Sequence, residues 1–117
     1  MYEGSCLCGS VKYRVGETIA EIECCHCLTC RKAHASAFSM GVTIARESFT
    51  LISGADLLKE IESSAAKFRV FCGNCGSHLY AYRTAAPSTL RLRPACLDTD
   101  LSGFSIKHTY CENRLSL

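Results

Sequence analysis

What the sequence lacks narrows the field first. No apolar run approaches the roughly 18 residues that mark a membrane-spanning helix, so neither a span nor a membrane partner is expected. Met1-Tyr2-Glu3-Gly4 does not open a charged-then-apolar leader, which points to a reducing, cytoplasmic setting. No Ser-His-Asp set, phosphate-binding loop or carboxylate pair stands out, and hydrolytic or phosphoryl-transfer chemistry loses its usual equipment. Repeats, low-complexity tracts and linkers are missing as well, so the 117 residues are expected to form one domain, 1–117.

Charge of one sign is also scarce. The formal net charge of +2 counts every thiol as neutral. A four-thiolate zinc site carries about −2 and a three-thiolate site about −1, which would bring a metal-loaded chain close to neutral. A general nucleic-acid surface needs a basic patch that survives this accounting, and none is expected.

Cysteine is what the chain has in excess, ten in all. Such a count forces a choice between a disulfide framework and metal binding, and spacing decides it. Cys6-Leu7-Cys8, Cys25-His26-Cys27-Leu28-Thr29-Cys30 and Cys72-Gly73-Asn74-Cys75 are short chelating bites, whereas secreted frameworks spread their cysteines among loops. Cys6, Cys8, Cys72 and Cys75 supply the four thiolates of a closed tetrahedral zinc site, with Gly9, Gly73 and Gly76 suited to the turns that aim them inward. The competing reading makes them small buried core residues.

Cys25, Cys27 and Cys30 have no fourth ligand of equal quality beside them. Three protein ligands and one remaining position make the composition of a catalytic zinc, where a soft small-molecule thiol could bind as thiolate. A closed site is the rival, because His34 lies one helical turn past Cys30 and could add a nitrogen. His26, between two ligands, is expected to point away, and Cys24 could stand in for Cys25. Arg31 and Lys32 follow the last thiolate directly; they either pair with a carboxylate of a glutathione-like ligand or remain solvated charges.

The rest of the pattern reads as strands. Val11–Val15 alternates apolar and charged residues, Ile19–Cys24 leads into the central cluster, and a single helical turn fits 27–35. Period two returns over 38–44, 49–52, 67–72, 78–83 and 89–93, with a last strand through Phe104, Ile106, His108 and Tyr110. Leu57–Ile61 fits helix or strand, and its neighbours favour strand. A mainly β domain of packed or coiled antiparallel sheets is expected. Exposed edges in such a sheet leave a homo-oligomer open. Arg69, Arg91 and Arg93 alternate with apolar positions and are expected to face water. Tyr80, Tyr82 and Tyr110 are expected to pack on the sheet, His78 to pack or lie at the surface, and Cys96 and Cys111 to be ordinary thiols.

Gly4-Ser5-Cys6-Leu7-Cys8-Gly9-Ser10-Val11, Cys25-His26-Cys27-Leu28-Thr29-Cys30-Arg31-Lys32 and Phe71-Cys72-Gly73-Asn74-Cys75-Gly76-Ser77, in that order, resemble the signature of the glutathione-dependent formaldehyde-activating enzyme family, which also contains centromere protein V. The resemblance implies an Mss4-like fold of coiled β-sheets and two zinc ions per chain: a structural one on Cys6, Cys8, Cys72 and Cys75, and a catalytic one on Cys25, Cys27 and Cys30. It further implies a carbon–sulfur lyase that adds formaldehyde or a related aldehyde to glutathione, giving an S-hydroxymethyl adduct. The alternatives are a non-enzymatic zinc-binding interaction module of centromere protein V type and a thiol redox protein on a related fold. This chain departs from the family's usual pattern in having no Trp and in placing Ala33-His34-Ala35 where small residues are common.

Overall fold

The computed structural model describes residues 1–117. Ten strands and one helix run in the order β1 (Tyr2–Ser5), β2 (Lys12–Val15), β3 (Glu21–Cys25), α1 (Leu28–His34), β4 (Ser39–Ala45), β5 (Phe49–Ser53), β6 (Leu58–Ser64), β7 (Lys67–Cys72), β8 (His78–Arg83), β9 (Thr89–Leu92) and β10 (Ser105–Thr109). Leu57–Ile61 resolves as the sequence favoured, with Ala55–Leu57 as a 3-10 turn leading into β6. No helix is long and apolar enough to cross a membrane.

Two sheets result. A three-stranded sheet has the order β1-β2-β5, and a seven-stranded sheet has the order β10-β3-β4-β9-β8-β7-β6. The pairings are antiparallel except one, because β10 lies parallel to β3, with Ser105 opposite Glu21 and Thr109 opposite Cys25. The packed antiparallel sheets expected from the sequence are present, and this single parallel pair makes the larger sheet mixed. Parallel partners need a long crossover, and here residues 26–104 lie between the two strands.

Alternation dictates where the core sits. In β2, Tyr13 and Val15 are buried while Lys12 and Arg14 are exposed. Together with Val11 they meet a row across the larger sheet in which Ile44 pairs with Leu90, Val42 with Leu92, and Leu92 with Tyr80. Residues directly opposite each other share a face, so this row is the core face.

Arg91 lies directly across from Thr43 and from Ala81, and Ala81 from Arg69, on the opposite face. Sequence alternation correctly puts these arginines away from the core. It misplaces their surroundings, since Arg69 and Arg93 are only 1% and 6% exposed. Arg69 is covered by α1, whose His34 ring it touches, so the second face of the sheet is not left to water.

The small sheet imposes one tight requirement. A Cβ on buried Gly4 would collide with the ring of Tyr13, its partner in the β1–β2 ladder. Tyr13 is itself 1% exposed and stacks on Phe49 at 5.0 Å, so the ring has nowhere to go. Gly4→Ala should therefore cost about 1–3 kcal/mol, the range for overpacking a tight interior. A urea midpoint equal to that of the unaltered chain would show that the ring can move aside.

Candidate metal centre and adjoining cavity

β3 ends at Cys25, the chain turns through His26, and Cys27 caps the next helix. Cys27 has extended backbone, and its Sγ accepts from the Cys30 N–H at 3.4 Å. Cys30 is the buried residue of α1. A strand end, a cap and a first helical turn thus bring three sulfurs within 4.8 Å of one another.

Cys6, Cys8, Cys72 and Cys75 converge separately within the same limit. Sulfurs about 2.3 Å from a tetrahedral zinc lie about 3.8 Å apart. Cys6 and Cys8 Sγ are 3.5 Å apart and Cys8 and Cys72 Sγ 4.0 Å, so this set fits a closed ion without rearranging the fold. Hydrogen bonds, from the Asn74 side chain first, bring Cys8 down to about 7, and the Ser77 hydroxyl leads those that bring Cys75 down to about 5. Low thiol pKa favours the deprotonated form that metals bind.

The three-sulfur set is more sharply polarised. Burial opposes ionisation of Cys30, but hydrogen bonds from Ser39, Arg69 and the neighbouring thiols outweigh it and bring Cys30 down to about 6. Arg69 reaches Cys30 Sγ with Nη2 at 3.6 Å, donates from Nε to Ser63 Oγ at 2.9 Å, and meets His34 Nε2 with Nη1 at 3.2 Å. Burial pushes Cys25 up. Both sets could hold a metal ion: four sulfurs close around one, while three leave a position over.

His34 does not join the three sulfurs. Its Nε2 faces Arg69, and its ring packs on His78 at 4.4 Å. His26 turns away to His108, with Nε2 and Nδ1 2.8 Å apart. Cys24 is buried on the other side of β3 and does not replace Cys25.

The environment of His34 has a pH consequence. Burial, then the positive charges of Arg93, His78, Arg69 and Lys67, lower it to about 3. An unfolded His34 takes up its proton below about 6.5, so between about 6.5 and 3 the unfolded chain holds more protons than the folded one. Stability supplied by the neutral ring is complete above 6.5 and lost as pH falls toward 3. His34→Gln keeps an acceptor for Arg69 and should make urea stability less acid-sensitive, by on the order of 1–2 kcal/mol at pH 4 once half-exposure and solvent screening are allowed for. Parallel stability–pH curves for the two proteins would contradict this.

A cavity of about 290 Å³ opens beside the three-sulfur set. Cys25, Cys30 and Ser39 line it together with Lys67, Arg83, Arg91 and Arg93. Arg31 and Lys32 are not among its lining; the Arg31 guanidinium donates to the Asn113 carbonyl at 2.8 Å, and Lys32 is exposed. Tyr80 packs against Phe49 and Tyr82 stacks on Phe68 as expected, though Tyr82 also lines the cavity, as does Tyr110. Tyr110 sits at φ 55, a left-handed turn that follows β10 and brings Thr109 and Tyr110 to the wall.

Sequence reasoning therefore missed Ser39, Lys67, Arg69 and Arg93. A signal existed: Lys67 and Arg69 on β7, and Arg91 and Arg93 on and just past β9, share one phase of the two-residue repeat on the two strands that flank β8. Recognising it required the pairing of β7, β8 and β9.

A mainly β frame carrying seven clustered thiols in two sets defines a cysteine-ligand protein with two candidate metal centres. The family described as glutathione-dependent formaldehyde-activating enzyme matches residues 1–113, and the chain belongs to it. Among curated relatives, an uncharacterized lyase of Schizosaccharomyces pombe is 34% identical over 79 residues, covering 68% of this chain and 56% of that protein. A putative glutathione-dependent formaldehyde-activating enzyme of Fusarium vanettenii is 34% identical over 77 residues, covering 64% of this chain and 41% of that one. The chain spans about half the length of these relatives. A crystal structure of a Rhodobacter sphaeroides protein superposes with a TM-score of 0.72 at 22% identity, covering 92% of this chain and 99% of that one, which establishes the fold.

Proposed function

We propose that the chain is a zinc-dependent carbon–sulfur lyase of the formaldehyde-activating type, joining a glutathione-like thiol to formaldehyde or a related aldehyde. One observation carries the reading: of three converging sulfurs, those of Cys25 and Cys30 belong to residues that line a cation-rich cavity of about 290 Å³, while four others close on their own. A purely structural metal has no need of such a cavity. Four thiolates from Cys6, Cys8, Cys72 and Cys75 would hold the structural zinc, and Cys25, Cys27 and Cys30 the second.

A zinc ion on the second set supplies one open position for a soft ligand and a charge that favours the thiolate form of an incoming thiol. The chain's own residues do the rest. Ser39 and Arg69 hold Cys30 ionised and fix its direction. Lys67, Arg83 and Arg91 offer N–H groups to the carboxylates of the thiol, and their place in the lining supports them in this role over Arg31 and Lys32. Thr109 and Tyr110 complete the lining around the space where the thiol would sit.

The chemistry balances without a redox partner. The thiol sulfur forms a bond to the aldehyde carbon, the carbonyl π pair moves to oxygen, and that oxygen takes a proton equivalent to the one the thiol gave up. With glutathione and formaldehyde, exchange spectroscopy on the metal-loaded protein should show adduct formation faster than in its absence, and Cys27→Ser should remove the excess. Equal rates with and without the protein, or a reaction that needs no thiol, would end this proposal.

A further inference from the structure

The charge lining the cavity says more about the thiol than its being glutathione-like. Lys67, Arg83, Arg91 and Arg93 face a single carboxylate, Glu23. That carboxylate is already engaged, with Oε1 3.1 Å from Arg91 Nη1. Glu60 lies outside the wall, exposed, with both oxygens accepting from the Tyr82 hydroxyl. The three-sulfur set holding a divalent ion contributes only about one negative charge, so the cavity stays positive.

The cations are built in rather than scattered on a surface. Lys67 and Arg83 are directly opposed in the β7–β8 ladder, where like charges repel unless something sits between them. Arg93 is 6% exposed, spends Nη1 on the Met40 carbonyl at 3.1 Å, and has no acceptor for Nη2. A buried guanidinium N–H without a partner is costly, and a bound anion supplies one. Gly41 leaves room for the Arg91 side chain: a Cβ there would lie 2.5 Å from Arg91 Nε. Burial and the neighbouring Arg69 also pull Lys67 down, as expected for a crowd of cations awaiting a counter-charge.

Glutathione brings two carboxylates and one ammonium. The carboxylates are matched several times over, whereas the ammonium would enter a positive cavity whose single carboxylate is taken. Building on the proposed lyase reading, we infer that the preferred thiol is one with two or more anionic groups and no free ammonium, and that Lys67, Arg83, Arg91 and Arg93 recognise those anions.

The test keeps one scaffold and changes only its charge. Glutathione, N-acetylglutathione and the glycine monoethyl ester of glutathione are compared as thiol substrates with formaldehyde on the metal-loaded protein. Removing the ammonium should raise kcat/KM at least threefold over glutathione, and masking the carboxylate should lower it at least tenfold. Arg83→Gln, at an exposed rim position, and Lys67→Gln should each shrink both differences. Equal use of glutathione and its N-acetyl form, or preference for glutathione, would overturn the inference.

If no thiol reacts faster than in buffer, the lyase reading fails while the charge preference is still measured. The S-methylated forms of the three compounds are then titrated calorimetrically. Tighter binding of the N-acetyl form by threefold or more supports the anionic site, and equal, weaker or undetectable binding of it overturns that site.

Discussion

Cys72→Ser should leave the chain largely unfolded at 25 °C and short of one metal ion, whereas Cys111→Ser should change neither stability nor metal content. Cys72 is fully buried, belongs to the hydrophobic core and ends β7. Its N–H donates to the Ser77 carbonyl at 2.9 Å and its carbonyl accepts from Gly76 at 2.8 Å, so the turn that aims it is already made by the backbone. What the sulfur adds is a tie to the chain start, since Cys8 and Cys72 Sγ meet across 64 positions. Closing a loop of that length costs roughly 4 kcal/mol. A zinc bound by such a set contributes about 10–16 kcal/mol in small folding domains, comparable to the whole stability of a domain this size. Far-UV circular dichroism and metal content per chain check the outcome. A Cys72→Ser protein with an unchanged melting temperature would mean that the four-sulfur set is not a staple.

Arg69→Met should weaken metal binding at the three-sulfur set by about 10–100-fold while leaving the four-sulfur set tight. The residue is buried and satisfies three acceptors at once, on Ser63, His34 and Cys30. Its charge offsets the excess negative charge of three thiolates around a divalent ion. Removing one partner of a buried charge cluster also costs about 3–5 kcal/mol, because what remains is uncompensated. Lys in its place would keep the charge but not the planar fork that spans three acceptors, so Arg69→Lys should recover only part of the affinity. The Cys30 thiol of the metal-free variant should titrate higher than in the unaltered chain, because a hydrogen bond that favours its thiolate is gone. Competition with a chromophoric chelator reads both sites, and equal affinities in the variant and the parent would remove Arg69 from this role.

The two cysteine sets were legible because chelation demands short spacing, and short spacing is visible in one dimension. The strands were legible for the same reason: β2, β4, β7 and β9 carry their period in adjacent letters. β1 was not found, since Tyr2-Glu3-Gly4-Ser5 is too short and polar to announce a strand, and it exists because β2 offers it a partner. Arg69 and Arg93 were read as solvent-facing because alternation tells only which side of a sheet a residue takes. Whether that side is wet depends on what covers it, and α1 reaches Arg69 from a distant part of the chain. The cavity lining suffered likewise: Lys67, Arg83 and Arg91 become neighbours through ladder register, while Arg31, which looked close in sequence, is turned to the backbone of Asn113.

The parallel placement of β10 has a consequence for the order of assembly. Most ladders join segments nearer each other in the chain, but β10 must find β3 from the far end of it, with Ser105 paired to Glu21 and Thr109 to Cys25. Pairings of such high contact order are slow, because the chain entropy they consume is lost before their contacts form. During synthesis on the ribosome all seven candidate metal ligands thus emerge before Thr109 and Tyr110, and a nascent chain halted short of β10 would carry both sulfur sets with the cavity lining still incomplete.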